Sequence, residues 1–439
     1  MKVGLVRSAL VASLILVATA KVMAQEKMIA PGTMTQGESI APGTVITPQN
    51  WGQYKNFMQD GLQVLFEGKY FWKLPSDFQM TIGPTHDYPL PEAYRKATEK
   101  YSHRVKIVNL PDGGHSITGY VAGMPFPNPS GPLQGWELLV DTWYAFVPHI
   151  TCSPLSRVYL HDRYGNETQE ATSLVYRQFT YIADGKLPST DPAGPGIYYS
   201  EYTRVLAPEQ SQYTTQLTLY YADPTKTEDL FLFIPALRRT LRLSAAARCS
   251  PFVGTDFTQD DVKQLFNGGI VRFDADYRGV RKTLHLTDAD PHAWPDPNNY
   301  YQPVFFPKPT VGKWEVRDNY VLDVKRIPSQ RKGYCYGSRM LYVDTQQLIQ
   351  TWADIYDESL KLWKIYSFQS FGFPVGDQGK QLYSGGFVVD GWDMQNTHMT
   401  GWLVVPPFGN DDLCMKMNGS NYADAKQYSS VAGLSMIMR

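Results

Sequence analysis

Apolar and polar positions alternate most regularly between Trp314 and Lys325. Trp314, Val316, Tyr320, Leu322 and Val324 fall on one side, and Glu315, Arg317, Asn319, Asp323 and Lys325 on the other. A period of two over that length predicts one long β-strand. At roughly 3.4 Å per residue it would run about 40 Å, far beyond the usual length of about five or six residues. A strand that long implies a strongly curved sheet or a bulge partway along it. Downstream, the stretch from Tyr334 to Tyr366 breaks into three β-type runs: Ser338 to Val343, Gln350 to Tyr356 and Leu360 to Tyr366. Their separators, Asp344-Thr345-Gln346-Gln347 and Asp357-Glu358-Ser359, are short and polar, which predicts a three-stranded antiparallel meander.

Upstream the pattern is also mainly β. Val105 to Leu110 and Ser116 to Ala122 flank Pro111-Asp112-Gly113-Gly114, and Arg157 to Tyr164 and Thr168 to Tyr181 flank Gly165-Asn166. Both are hairpin signals. Gln212 to Tyr221 places Tyr213, Thr215, Leu217, Leu219 and Tyr221 on one face; Leu230 to Ile234 is wholly apolar and resumes after Pro235 as Leu237 to Leu243. Three helices interrupt this pattern. Thr47 is placed to cap the first, with Pro48 at its first position and Trp51, Tyr54, Phe57, Met58 and Leu62 along one side. A weaker one starts near Pro91, and the third, Thr258 to Phe266, carries Thr258 and Asp261 at capping-box spacing. The near-repeat IAPGTMT and IAPGTVIT, from Ile29 and Ile40, predicts an extended arm because its Pro and Gly suit neither helix nor strand interiors. Pro- and Gly-rich loops span Gly123 to Gly135, Ala183 to Gly196 and Asp288 to Gly312, and loops that long commonly face ligands. The fold class is therefore mainly β: a large curved antiparallel sheet carrying a few helices.

The first residues change the picture of where this sheet works. Lys2 and Arg7 precede an apolar run from Ala9 to Ala20, and Val22-Met23-Ala24 supplies small residues before a cleavage point, the pattern of a secretory signal peptide removed after Ala24. The expected organisation is a signal peptide over 1–24, an extended arm over 25–45 and a single β domain over 46–439, exported to the periplasm. Removing the signal takes the formal charge from −1 to −4, since Lys2, Arg7 and Lys21 leave with no acid. A faintly acidic chain without a basic cluster excludes an electrostatic case for nucleic acid. Cys152, Cys249, Cys335 and Cys414 are the only cysteines, an even number that suits two disulfides in an exported chain. Three pairings are open; sequence proximity favours Cys152 with Cys249 and Cys335 with Cys414.

Candidate chemistry is sparse. There is no GxSxG, no HExxH, no phosphate-cradling Gly loop and no spaced Cys–His pair, so no catalytic residue is named and an enzyme is not expected. His285 and His292 are the nearest histidine neighbours and read as ordinary turn or surface residues; no metal or cofactor is expected. Asp256, Asp260 and Asp261 suit a helix start. Asp274 and Asp276 share a strand face and are the candidates for a glycosidase-like acid/base pair. Arg238 and Arg242 fall on one face of the Leu237 to Leu243 strand and Arg239 on the other, a solvated face or a contact for an anionic group or partner. The 29 Tyr, 20 Phe and 10 Trp serve mostly cross-strand packing, with some left to line a cavity.

Several stretches resemble a known family. ITPQNW at Ile46, GYVAGMPFPNPS from Gly119, FIPALRRTLR from Phe233, GTDFTQDD from Gly254, WEVR from Trp314, and the elements at Arg339 and Tyr356 recur in that order. They resemble an uncharacterised family of Gram-negative exported proteins related to the outer-membrane lipoprotein-sorting carriers. The resemblance implies a LolA-like fold, an incomplete antiparallel β-barrel holding acyl chains or another apolar ligand under a lid. It also implies work beside a resistance-nodulation-division type exporter, with transient membrane contact. A greasy cavity needs no conspicuous polar residues, since each buried methylene is worth roughly 0.8 kcal/mol. The expected cavity lining is Trp314, Val316, Tyr320, Leu322 and Val324 with Leu217 and Leu219, and the expected lid is the helix bearing Trp51, Tyr54, Phe57 and Met58. An accessory subunit whose face is filled by its own side chains, or a carbohydrate-active enzyme, are the rival readings.

Overall fold

The alternating run forms a strand of 15 residues, Gly312–Arg326, and its antiparallel neighbour Phe273–Ala289 is longer still at 17. Register shifts between Tyr277 and Val280, and again between His285 and Asp288, bend this pair, as a strand of such length demands. The structure, a computed structural model, describes residues 28–437 apart from 36, 186, 245–247, 264, 375–379 and 382–386. The signal peptide expected over 1–24 lies outside the described residues.

Thirteen strands make one antiparallel path built from two meanders. The first runs β1 (Ile150–Asp162), β2 (Glu167–Gln178), β3 (Ile197–Ala207), β4 (Thr215–Tyr221), β5 (Asp229–Ile234) and β6 (Arg239–Leu243). The second runs β7 (Phe273–Ala289), β8 (Gly312–Arg326), β9 (Ser338–Asp344), β10 (Gln350–Tyr356), β11 (Leu362–Gln369), β12 (Val388–Asp393) and β13 (His398–Val404). They join where β13 pairs β1, so β6 and β7 are the two ends of the path. The path stays open, although the Ser370 N–H donates to Leu286 O at 3.1 Å and curls β7 towards the end of β11. Because β6 and β7 are consecutive in sequence yet at opposite ends of the sheet, the described residues between them, 248–263 and 265–272, lie across the sheet as a crossing segment.

Both faces are covered. The front face, with Val158, Tyr176, Tyr199, Tyr220, Leu341, Ala353 and Tyr366, packs under α2 (Glu92–Tyr101), α3 (Gln134–Trp143) and the crossing segment. The back face, with Tyr159, Tyr342, Trp352, Ile365 and Trp392, packs under α1 (Asp60–Glu67) and the 288–312 loop. A third cluster, Cys152, Val175, Tyr202, Leu217 and Phe233, lies on the back of the first meander with Cys414, Tyr428 and Leu434 of α4 (Asp411–Lys416), α5 (Ala425–Tyr428) and α6 (Val431–Leu434). Most of the polar side of β8 is buried, Lys325 at its end being partly exposed. Glu315, Arg317 and Asn319 are fully buried, and the Arg317 guanidinium is closed onto Asp344 and Glu315.

Four local expectations are corrected. The first helix is broken: a 3-10 turn over Trp51–Phe57 ends at extended Met58, and α1 begins only at Asp60. Tertiary hydrogen bonds win over helix continuity there, because buried Gln59 donates to Leu284 O at 2.8 Å and the Gly61 N–H donates to Asp354 at 3.0 Å. Thr47 therefore caps a turn and not that helix. The described residues between Thr258 and Phe266 form no helix either; the Thr258–Asp261 bonds form at 2.7 and 2.8 Å, but Lys263 and Leu265 adopt φ of 63° and 65°. The disulfides are Cys152–Cys414 and Cys249–Cys335. Proximity in sequence misled because the β1–β13 junction brings distant ends of the chain together. Lastly, Arg238 sits in the β5–β6 turn at φ 47°, so it shares no strand face with Arg242.

Candidate functional site

The crossing segment does not lie flush on the front face. Between them is a cavity of about 120 Å³. The sheet contributes Leu174 and Tyr176 from β2, Glu201 and Thr203 from β3, Phe368 from β11, Val389 from β12 and Trp402 from β13; the segment contributes Phe252, Phe257, Val262, Lys263 and Leu265. Trp402 and Phe252 stack in its wall at 5.7 Å between centroids.

The segment is held down by buried charge. Arg248 binds Asp260 and Glu228, Arg272 reaches Glu228 at 3.4 Å, and Arg339 reaches Asp261 at 3.0 Å. Tyr334 donates to Asp260 at 2.8 Å, and Tyr336 and Tyr366 donate to Asp261 at 2.7 and 3.0 Å. Cys249–Cys335 adds a covalent tie to the approach of β9. Such pairs are expensive to desolvate, so their value is in fixing one arrangement. The left-handed backbone at Lys263 and Leu265 then turns the side chains of both into the cavity wall.

One end of the cavity is polar. The Lys263 ammonium stands 4.5, 5.2 and 4.2 Å from the ring centroids of Trp143, Tyr198 and Tyr199, and donates to Trp143 O at 3.4 Å. Ring faces attract a cation, more strongly away from water. Glu201 accepts from Asn267 Nδ2 at 3.3 Å, and Asn267 is fixed by Tyr199, whose hydroxyl donates to it at 2.7 Å, and by Tyr220. Burial raises the Glu201 pKa, opposed by the charge of Lys263, and lowers that of Lys263, opposed by Glu201. Desolvation thus pushes both towards their neutral forms.

The residues expected to line a cavity lie elsewhere. Tyr320, Leu322 and Val324 are packed in the front core, Trp314 and Val316 join the back cluster, and none of them borders the cavity. Leu217 and Leu219 point to the back, beneath the C-terminal helices; the front of β4 is Gln216, Thr218 and Tyr220. Trp51, Tyr54, Phe57 and Met58 cover the back face, and the segment bearing GTDFTQDD covers the cavity instead. Arg239 is exposed and Arg242 is paired with Asp229 on the β5–β6 hairpin. Asp274 and Asp276 sit on β7 opposite Lys325 and Asp323, outside the cavity. His285 is buried between Gln59, Thr283 and Thr351, and burial holds its pKa well below the ordinary value. His292 is in a turn after Asp290. Among the described residues no group of three His, Cys, Asp or Glu is placed to hold a metal, and no helix is long and apolar enough to cross a membrane. Lys263, Glu201 and α3 escaped the sequence reading. For α3 the signal was present, since Trp136, Leu139, Val140 and Trp143 recur at helical spacing.

Among solved structures the chain is similar to a putative outer membrane lipoprotein-sorting protein domain from Vibrio parahaemolyticus, at 15% identity and TM-score 0.42 over 65% of this chain and 97% of that one. It is also similar to a DUF1329 family protein from Desulfovibrio piger, at 15% identity and TM-score 0.43 over 67% and 99%. A LolA superfamily protein from Nitrosomonas europaea aligns at 12% identity and TM-score 0.35 over 66% and 98%. No curated protein matches the chain. The expected mainly β architecture stands, as a large antiparallel sheet whose path stays open. Residues 45–407 match the family model described as protein of unknown function (DUF1329), and the chain belongs to that family.

Proposed function

We propose that this protein is an exported binding or carrier protein for a hydrophobic molecule, passing it between an inner-membrane exporter of the resistance-nodulation-division type and the outer membrane. The observation that carries this reading is the cavity under the crossing segment, walled by Leu174, Phe252, Phe257, Phe368, Val389 and Trp402. An apolar cavity of about 150 Å³ stays dry and admits benzene, so about 120 Å³ takes a short acyl or ring fragment. A longer ligand needs the crossing segment to lift, which makes that segment the lid in place of the Trp51 to Met58 stretch. Two disulfides are consistent with an oxidising compartment outside the inner membrane.

The test is to purify the mature protein without detergent, extract it with organic solvent and identify the extract by mass spectrometry. A stoichiometric apolar compound supports the reading. An empty extract, with no uptake of fluorescent fatty-acid or sterol probes, sinks it. That outcome would favour the accessory-subunit reading, for which the front face also speaks: Tyr176, Tyr198, Tyr199 and Tyr220 pack ring on ring in its core.

A further inference from the structure

The polar end of the cavity is lopsided in what it offers. A Lys ammonium has three N–H donors; among the described residues that of Lys263 makes one hydrogen bond, a long one to Trp143 O at 3.4 Å, and otherwise meets ring faces. Two donors are thus uncommitted among the described residues, and Lys263 is itself a wall residue of the cavity. A cationic ligand is excluded by the same geometry, because the three-ring cage that would recognise it already holds Lys263. Glu201, also in the wall, closes no ion pair with Lys263 among the described contacts, although each group responds to the other's charge. An entering anion alone would leave the site with surplus negative charge in an apolar surrounding, which is costly. If Glu201 takes a proton at the same time, Lys263 and the anion balance and Glu201 becomes a neutral donor.

We propose that this end of the cavity binds a monocarboxylic acid with an apolar tail, its carboxylate on Lys263 and Glu201 taking up one proton from solution as the acid binds. The inference rests on the ligand-binding reading above. Of the other titratable groups facing this end, Asp261 is tied to Arg339 at 3.0 Å. Tyr198, Tyr199 and Tyr220 have pKa values driven well above their ordinary range by burial, and Tyr176 adds its ring from β2. Glu201, whose pKa burial raises, and Lys263, whose pKa burial lowers, are thus the pair left to exchange a proton. As pH rises through the elevated range of Glu201, the proton becomes harder to supply and affinity falls.

The experiment is calorimetric titration of the full chain with hexanoic acid, 1-hexanol and hexylamine, from about pH 6 to about pH 8, in two buffers of different ionisation enthalpy. Hexanoate is expected to bind at least about tenfold more tightly than hexanol, with one proton taken up, and hexylamine least. Lys263→Met should erase the preference and Lys263→Arg keep it; Glu201→Gln should keep the preference and lose the proton uptake, circular dichroism confirming the fold of each. Equal affinity for acid and alcohol, a preference that survives in Lys263→Met, or proton uptake that survives in Glu201→Gln overturns the proposal while the hydrophobic-cavity reading stands. No binding of any of the three overturns both.

Discussion

The Arg339 guanidinium lies 3.0 Å from the Asp261 carboxylate with both side chains buried, and this contact anchors the crossing segment to β9. Arg339 also donates to Asp260 O and to the Tyr334 hydroxyl, each at 2.8 Å, so the pair sits inside a closed network. Asp261→Ala would leave the cation buried and uncompensated. A loss of about 3–5 kcal/mol is expected, read as a lower midpoint in urea unfolding. An unchanged midpoint would show that the segment is not held by this pair.

A second prediction concerns Gly61, whose N–H meets Asp354 at 3.0 Å. A Cβ there would come 2.1 Å from Asp354 Oδ1 and 3.0 Å from Ile365. Gly61→Ala should therefore cost about 1–3 kcal/mol through overpacking. Gly52→Ala is the control, since nothing lies within 4 Å of its added methyl, and it should shift the unfolding midpoint little.

Asp354 also sets a pH dependence. Burial pushes its pKa up to about 7, despite hydrogen bonds from the Trp352 indole N–H at 2.8 Å and from Gly61. In the unfolded chain the value is about 3.9. Between about pH 4 and about pH 7 the folded state then holds a proton that the unfolded state has lost, so Asp354 makes stability fall as pH rises. Its contribution levels off above the folded value. The slope approaches about 1.4 kcal/mol per pH unit within the window. Subtracting the unfolding free energies of Asp354→Asn from those of wild type should isolate this slope; a flat difference across the window contradicts it.

Much of this fold was legible in alternation, because a strand buried on a sheet writes its pattern directly into sequence. Ser338–Asp344 and Gln350–Tyr356 appear where the pattern places them, and β8 spans the whole Trp314 to Lys325 run. What alternation does not carry is which cluster a face joins: Val316 and Tyr320 share parity along β8 yet pack in different clusters, beside a partner strand with two register shifts. The site was illegible for a related reason. Lys263 and Glu201 are distant in sequence and share a cavity wall only because the chain must pass from β6 to β7 at opposite ends of the sheet, and Lys263 adopts a left-handed backbone that its local sequence does not demand. The Thr258–Asp261 capping signal was real in its hydrogen bonds, but Asp260 and Asp261 are spent on distant arginines and no helix follows.

The disulfides test the topology itself. Cys152–Cys414 links residues 262 apart and fastens α4 to β1, and Cys249–Cys335 fastens the crossing segment. Peptide mapping without reduction should recover these two pairs, and the Cys152→Ser/Cys414→Ser variant should lose about 2–5 kcal/mol. Recovery of Cys152 linked to Cys249 would contradict the path of the chain described above.

Titration with a fluorescent medium-chain fatty acid, comparing wild type with Val389→Phe, bears most directly on the cavity as the ligand site. Val389 is only partly buried because it borders the cavity, so a larger apolar side chain there fills the space without adding charge or opening a void. Saturable binding by wild type, lost by at least about tenfold in a Val389→Phe protein that melts at or above the wild-type temperature, is the expected result. Equal binding by the two folded proteins would place the ligand elsewhere and remove the cavity under the crossing segment as its site.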